Sequence, residues 1–137
     1  IVMTVTDGGK GQAARNLHRW VHRYGIANGK RERPVVLNSW EGVYFTFDER
    51  NLISMMDGAA ALGAAMFVLD DGWSGNTYTR NDDRAGLGDW QCNEKKFPGG
   101  IQKLIAEVGK RGLAFGIWVE PKWSTPSVSF SSGIPTG

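Results

Sequence analysis

The chain has 137 residues, enough for one small domain or a piece of a larger one. Its hydrophobic fraction of 41% is ordinary for a globular protein, and a formal charge of +2 is too small to argue for nucleic acid or a membrane surface. Cys92 is the single cysteine, with no second Cys to pair with and no His after it, which excludes an internal disulfide framework and argues against a metal site there.

No apolar run approaches the length of a membrane span, and no signal peptide is visible. The chain opens at Ile1 rather than Met, so the second absence carries little weight. Ile1 to Thr6 alternates loosely and is expected as a short strand. Asp7-Gly8-Gly9-Lys10-Gly11 is a turn without the spacing of a phosphate loop, and no other cofactor motif is present. Residues 12–24 suit a helix, with Ala14, Leu17, Val21 and Tyr24 on one face. His18 and His22 lie four apart on its flank, but Arg15, Arg19 and Arg23 would repel a cation, so they are expected as a helix-surface pair. Lys30-Arg31-Glu32-Arg33 is read as a solvated linker.

Pro34-Val35-Val36-Leu37-Asn38-Ser39-Trp40 reads as a strand with a polar exit. Asp48 is placed to N-cap the next helix, whose apolar face holds Leu52, Met55, Met56, Ala59 and Leu62 and which Gly63 ends. Met66 to Leu69 is a strand expected to be buried on both faces, and it runs directly into Asp70-Asp71-Gly72-Trp73. A long polar loop extends to about Pro98. Ile101, Leu104, Ile105 and Val108 mark a third helix closed by Gly112, and Leu113 to Val119 is a further strand ending at Glu120-Pro121.

Strand, helix, strand, helix, strand in this order means parallel strands with right-handed crossovers. Functional residue types gather at the strand ends: Asn38 and Trp40, then Asp70 and Asp71, then Glu120. That distribution is the pattern of a (β/α)8 TIM barrel. A doubly wound sheet shares the local pattern, but Asn38-Ser39-Trp40-Glu41 stands where its glycine-rich phosphate turn would be. Two acids and an indole at a strand end suit a sugar: carboxylates accept bonds from hydroxyls, and the indole packs on ring C–H patches.

The segment from Arg33 to Glu41 resembles the first barrel strand of the family 36 glycoside hydrolases, the bacterial α-galactosidases. Three further blocks match in register: Phe67 to Trp73, Asp82 to Trp90 (Asp-Asp-Arg-Ala-Gly-Leu-Gly-Asp-Trp), and Gly116 to Pro121. Phe97-Pro98-Gly99-Gly100 fits the family's start of the second barrel helix. The resemblance implies an α/β fold that is a partial TIM barrel, comprising the first three β/α units preceded by a short strand and linker helix. It implies that residues 1–32 are the end of an upstream β-sandwich domain with its linker helix, and that 33–121 begin the catalytic barrel. It implies retaining hydrolysis of terminal α-1,6-linked galactose, as in melibiose and raffinose. Asp70 and Asp71 would hold the hydroxyls at C4 and C6, and Trp40 and Trp90 would line the same pocket. Trp73 is expected as a packing residue. Ser74 stands where the family usually has Phe, which could alter the loop's packing. Cytoplasmic location and homo-oligomerisation follow from the bacterial relatives alone.

The family's nucleophile lies in a Lys-x-Asp motif on a later strand, and its acid/base Asp later still; this chain contains neither segment. Asp70 and Asp71 are not assigned those roles, because adjacent side chains on a strand point to opposite sides unless the strand end twists, and so are poorly placed to flank one bond. With about three of the eight barrel strands, the isolated chain is expected to be inactive and marginally stable.

Beyond Pro121 the family continues Glu-Met-Val-Asn-Pro and soon reaches His-Pro-Asp-Trp, whereas residues 122–137 contain no acid and many Ser and Thr. Lys122-Trp123-Ser124-Thr125-Pro126 can be encoded AAA TGG TCA ACC CCA. Begun one base earlier, on the G of a CCG proline codon, the text is GAA ATG GTC AAC CCC, which spells the family motif. The terminal Ser132-Gly133-Ile134-Pro135-Thr136-Gly137 yields Arg-His-Pro-Asp-Trp by the same shift. The segment 122–137 is therefore expected to be an out-of-frame tail. The alternatives left open are a noncatalytic galactose-binding remnant, an α-N-acetylgalactosaminidase or raffinose-type galactosyl transferase on the same scaffold, and a translated fragment that binds nothing.

Overall fold

The computed structural model describes residues 1–120, so the expected tail and Pro121 lie outside the described residues. The chain divides into two compact units, residues 1–33 and residues from Pro34 onward.

In the first unit, α1 spans Gly9–Trp20 and continues as one π-helical turn over Val21–Gly25. The helix begins three residues before the expected start. Ile1 to Thr6 is not a strand. Period-two alternation needs a partner ladder to satisfy the backbone, and no described strand lies beside it. Its polar side chains serve the helix instead: Asn16 donates to Thr4 Oγ1 and the Gly8 amide to Thr6 Oγ1. The expected apolar face is present but uncovered, since no α1 residue is buried and Leu17, Trp20 and Tyr24 are exposed. His18 and His22 are both exposed, and His22 is tied through Nδ1 to the Gly29 carbonyl at 2.8 Å.

The second unit is an α/β fold. β1 (Val36–Asn38), β2 (Met66–Leu69) and β3 (Ala114–Ile117) form a parallel sheet in sequence order, with Leu37, Phe67 and Phe115 in register. The one-turn helix α2 (Trp40–Val43) follows β1, then α3 (Glu49–Ala61); α4 (Gly100–Lys110) joins β2 to β3. Leu52, Met56 and Ala59 of α3 and Leu104 and Val108 of α4 are fully buried, as are Phe67 and Leu69 of β2. The helices therefore cover one face of the sheet. Met66 and Val68 on the other face are only half-buried, and Val36 is exposed. The expectation that β2 is buried on both faces is corrected: alternating burial shows that the described residues supply one cover.

The local start and stop signals work as their chemistry requires. Asp48 Oδ1 accepts the Asn51 amide at 2.8 Å, satisfying one of the helix's free N–H groups. At the other end Gly63, at φ +78°, donates to the Ala60 carbonyl while Ala64 donates to Ala59. This paired closure needs a left-handed residue after the helix, and the same pattern ends α4 at Gly112. Asp48→Ala should lower the stability of the second unit by ~1 kcal/mol, read as a lower urea midpoint at unchanged slope; an unchanged midpoint would show that the cap contributes nothing.

Candidate functional site

All three strands end on the same side, and their exits converge on a cavity of about 410 Å³. Trp40 from the β1 exit and Trp118 from the β3 exit contribute its indoles. Asp70, Asp71, Asp83 and Glu120 contribute carboxylates, and Arg80 and Leu87 come from the loop after β2. A wall of this composition offers acceptors for hydroxyls and flat apolar faces for a ring.

The adjacent acids have different surroundings. Asp70 is half-buried; its Oδ2 accepts from Asn38 Nδ2 and its Oδ1 from the Asp71 amide at 2.7 Å. The neighbouring strand end is thereby tied to it, since the Asp70 amide also donates to Ser39 Oγ. Asp71 is buried, and the Arg80 guanidinium grips it: Nη2 reaches Oδ2 at 2.7 Å and Nε sits 2.9–3.0 Å from both oxygens. The Gly72 amide adds a bond to Oδ1. Gly72 has φ +93°, and a side chain there would press on the Phe45 ring and the Arg80 carbonyl. The chain can therefore turn sharply straight after the acid.

Trp73 is buried and donates from Nε1 to the Trp118 carbonyl at 2.9 Å, which makes it the packing residue expected of it. Trp40 lines the cavity beside the acids. Trp90 is placed differently: it stacks on Trp73 at 5.9 Å and meets Trp118 edge-on at 6.3 Å, behind the cavity wall. Asp70, Asp71 and Trp40 are thus brought together, with Trp90 supporting Trp118 from outside the lining. Arg80 was not foreseen. A lone Arg in a polar loop has no sequence signal for an ion pair nine residues back. Among the described residues no three ligand-type side chains converge as a metal site, and no helix is long and apolar enough to cross a membrane.

The floor beneath the acids is held by two buried-side contacts. Asn93 is buried; its Nδ2 bonds the Gly75 carbonyl and its Oδ1 accepts the amides of Lys95 and Lys96. Lys96 Nζ then donates to the carbonyls of Phe45 at 2.9 Å and Gly72 at 2.7 Å, over the Phe47 ring. Burial pushes the Lys96 ammonium down to about 8, although the nearby Asp71 carboxylate favours its charge.

The melibiase family profile matches residues 1–133. Alpha-galactosidase C of Emericella nidulans is 39% identical over 93% of this chain and 18% of its own length. Alpha-galactosidase AgaA of Geobacillus stearothermophilus is 41% identical over 93% of this chain and 17% of its own. A variant of AgaA solved with 1-deoxygalactonojirimycin is similar in structure at TM-score 0.84 and 38% identity, over 90% of this chain and 17% of that one. Another, solved with raffinose, gives TM-score 0.69 and 44% identity over 74% of this chain and 14% of that one. The chain thus spans under a fifth of the length of these relatives.

Lys96 sets a pH dependence whose sign is fixed. Its folded value of about 8 lies below the ordinary 10.5, so between those values the unfolded chain binds a proton that the folded chain has released. Stability from this site should rise with pH across that window and level off above it. Lys96→Met should abolish the rise, measured as the difference between the two proteins' urea midpoints from pH 7 to 10.5; parallel pH profiles would contradict the assignment.

Proposed function

The chain belongs to the melibiase family of glycoside hydrolases, and we propose that it is the sugar-holding first part of a retaining α-galactosidase acting on terminal α-1,6-linked galactose. Residues 33–121 form the first three units of a (β/α)8 barrel. Residues 1–32 close an upstream β-sandwich domain through a linker helix, and 122–137 are read out of frame. The parallel sheet in sequence order supports the barrel, as does its half-bare second face, which the remaining strands would cover. The uncovered apolar face of α1 and the division at Arg33 and Pro34 support the domain boundary.

The observation that carries the activity is the pair Asp70 and Asp71 lining one cavity with Trp40 and Trp118, in a chain of this family. Galactose has an axial C4 hydroxyl. A fixed acceptor pair selects it, because an epimer would leave a desolvated carboxylate without a partner. Trp40 packs on the sugar ring, and Trp90 acts on the pocket through Trp118. The nucleophile and the acid/base are supplied by later strands. Relatives solved with raffinose and stachyose support α-galactoside oligosaccharides as the substrates. The complete enzyme is cytoplasmic and homo-oligomeric.

The full-length protein, with the reading frame restored after Pro121, should hydrolyse a chromogenic α-galactoside and leave the α-glucoside intact, while the 137-residue chain alone turns over neither. Turnover by the chain alone would overturn the placement of the nucleophile outside it. Absence of turnover in the full-length protein, with calorimetric binding of galactose retained, would establish a noncatalytic galactose-binding role instead.

A further inference from the structure

Arg80 is 4% exposed and has all five of its N–H donors committed. Nε and one Nη2 hydrogen go to the Asp71 carboxylate, the other Nη2 hydrogen to Asp83 Oδ1 at 3.0 Å, and Nη1 to the carbonyls of Asp82 at 2.6 Å and Ala85 at 3.4 Å. The guanidinium also packs on the Phe45 ring at 5.2 Å, and that ring meets Trp40 edge-on at 5.0 Å. Such a group has no donor left for a ligand. Its effect on the cavity passes through what it holds.

What it holds is the acceptor geometry of Asp71. A carboxylate offers about four lone-pair positions. The Gly72 amide and two Arg80 hydrogens, that on Nε shared between both oxygens, take up at least three of them, so no more than one remains for a ligand. Asp70 has one protein donor on each oxygen and so keeps about two positions free. Unclamped, Asp71 could rotate and offer any of its positions, and selection by an unpaired acceptor would be lost. A lysine could not substitute: its three donors radiate from one point and match neither the carboxylate fork nor the two loop carbonyls.

We infer that Arg80 is the positioning residue that fixes which oxygen of Asp71 faces the sugar, and so sets the preference for galactose over its epimers. The inference rests on the galactoside reading above. It also assigns the Asp82–Ala85 loop a purpose, since the same guanidinium ties that loop to the end of β2.

In the full-length protein with the frame restored, Arg80→Ala should lower kcat/KM for the α-galactoside by about 100-fold and narrow the gap between galactoside and glucoside. Millimolar guanidinium should restore both in Arg80→Ala, whereas Arg80→Lys should remain impaired. Arg84→Ala, an exposed side chain in the same loop, should match the unmodified protein. Retained kcat/KM and discrimination in Arg80→Ala would overturn the inference. So would a loss that tracks the melting temperature and is not restored by guanidinium. An unmodified full-length protein without α-galactosidase activity would sink the galactoside reading separately. The Arg80 Nε–H resonance then decides the positioning role: slow exchange that is lost in Asp71→Asn upholds it, and rapid exchange in the unmodified protein overturns it.

Discussion

A carboxylate buried at the end of a strand is costly without a partner, and the pairing of Asp71 with Arg80 governs the course of the loop above the sheet. Their side chains are 8% and 5% exposed. Removing either partner from such a pair leaves an uncompensated charge, at a cost of about 3–5 kcal/mol. The loop after β2 is therefore not free to wander. It must bring Arg80 back over Asp71 wherever the chain folds at all, and it carries Asp83 and Leu87 to the cavity with it. An apolar pair of similar volume could fill the same space at no lower stability. What the charged pair adds is a carboxylate held in one orientation beside a site that offers acceptors.

That orientation is transmitted sideways through aromatic and backbone contacts. Phe45 lies between the Arg80 guanidinium and the Trp40 indole, and its carbonyl is held by Lys96, which also holds the carbonyl of Gly72. The acid, its clamp and the nearest indole thus share one support. Trp73, Trp90 and Trp118 form a second wall on the β3 side, bonded to the main chain through Trp73 Nε1. A site built this way needs little rearrangement to receive a rigid ring, and pre-organisation of this kind raises affinity by reducing the ordering that binding requires.

Much of this was legible before any coordinates, for identifiable reasons. Helix α3 was readable because Asp48 and Gly63 act within a few residues of where they stand, and α4 because its apolar spacing is itself the packing face. The assignment of Trp73 to packing and of Asp70, Asp71 and Trp40 to one strand-end cluster followed from strand polarity and a recognisable set of blocks. The strand expected at Ile1 to Thr6 failed because alternation specifies a face without supplying a partner. Burial of β2 on both faces failed for a related reason: an apolar run records what the complete sheet meets, and the described residues supply only half of it. Arg80 was illegible because its meaning resides in a pairing across a loop, and loops carry no period from which to infer a register. The position of Trp90 behind Trp118 depends on the same loop.

The electrostatics of the cavity favour one kind of chemistry on the proposed reading. Four carboxylates and a single guanidinium line it, so it is unsuited to phosphate or to a carboxylate ligand and well suited to a neutral polyol. Glycoside cleavage develops positive charge on the sugar ring, which a cluster of carboxylates stabilises more in the transition state than in the ground state. Yet the two strand-end acids do not make a nucleophile and acid/base pair. Asp71 is committed to Arg80, which leaves Asp70, with its open acceptor positions, as the single freer carboxylate of the two. Buried Asp89 Oδ2 has no partner among the described residues, which is a costly arrangement until a donor reaches it. The half-covered sheet face is what further strands would close on the same reading. On the proposed reading, holding and cutting are divided along the chain: these strands present an acid-rich cradle, and the groups that break the bond enter from strands that follow.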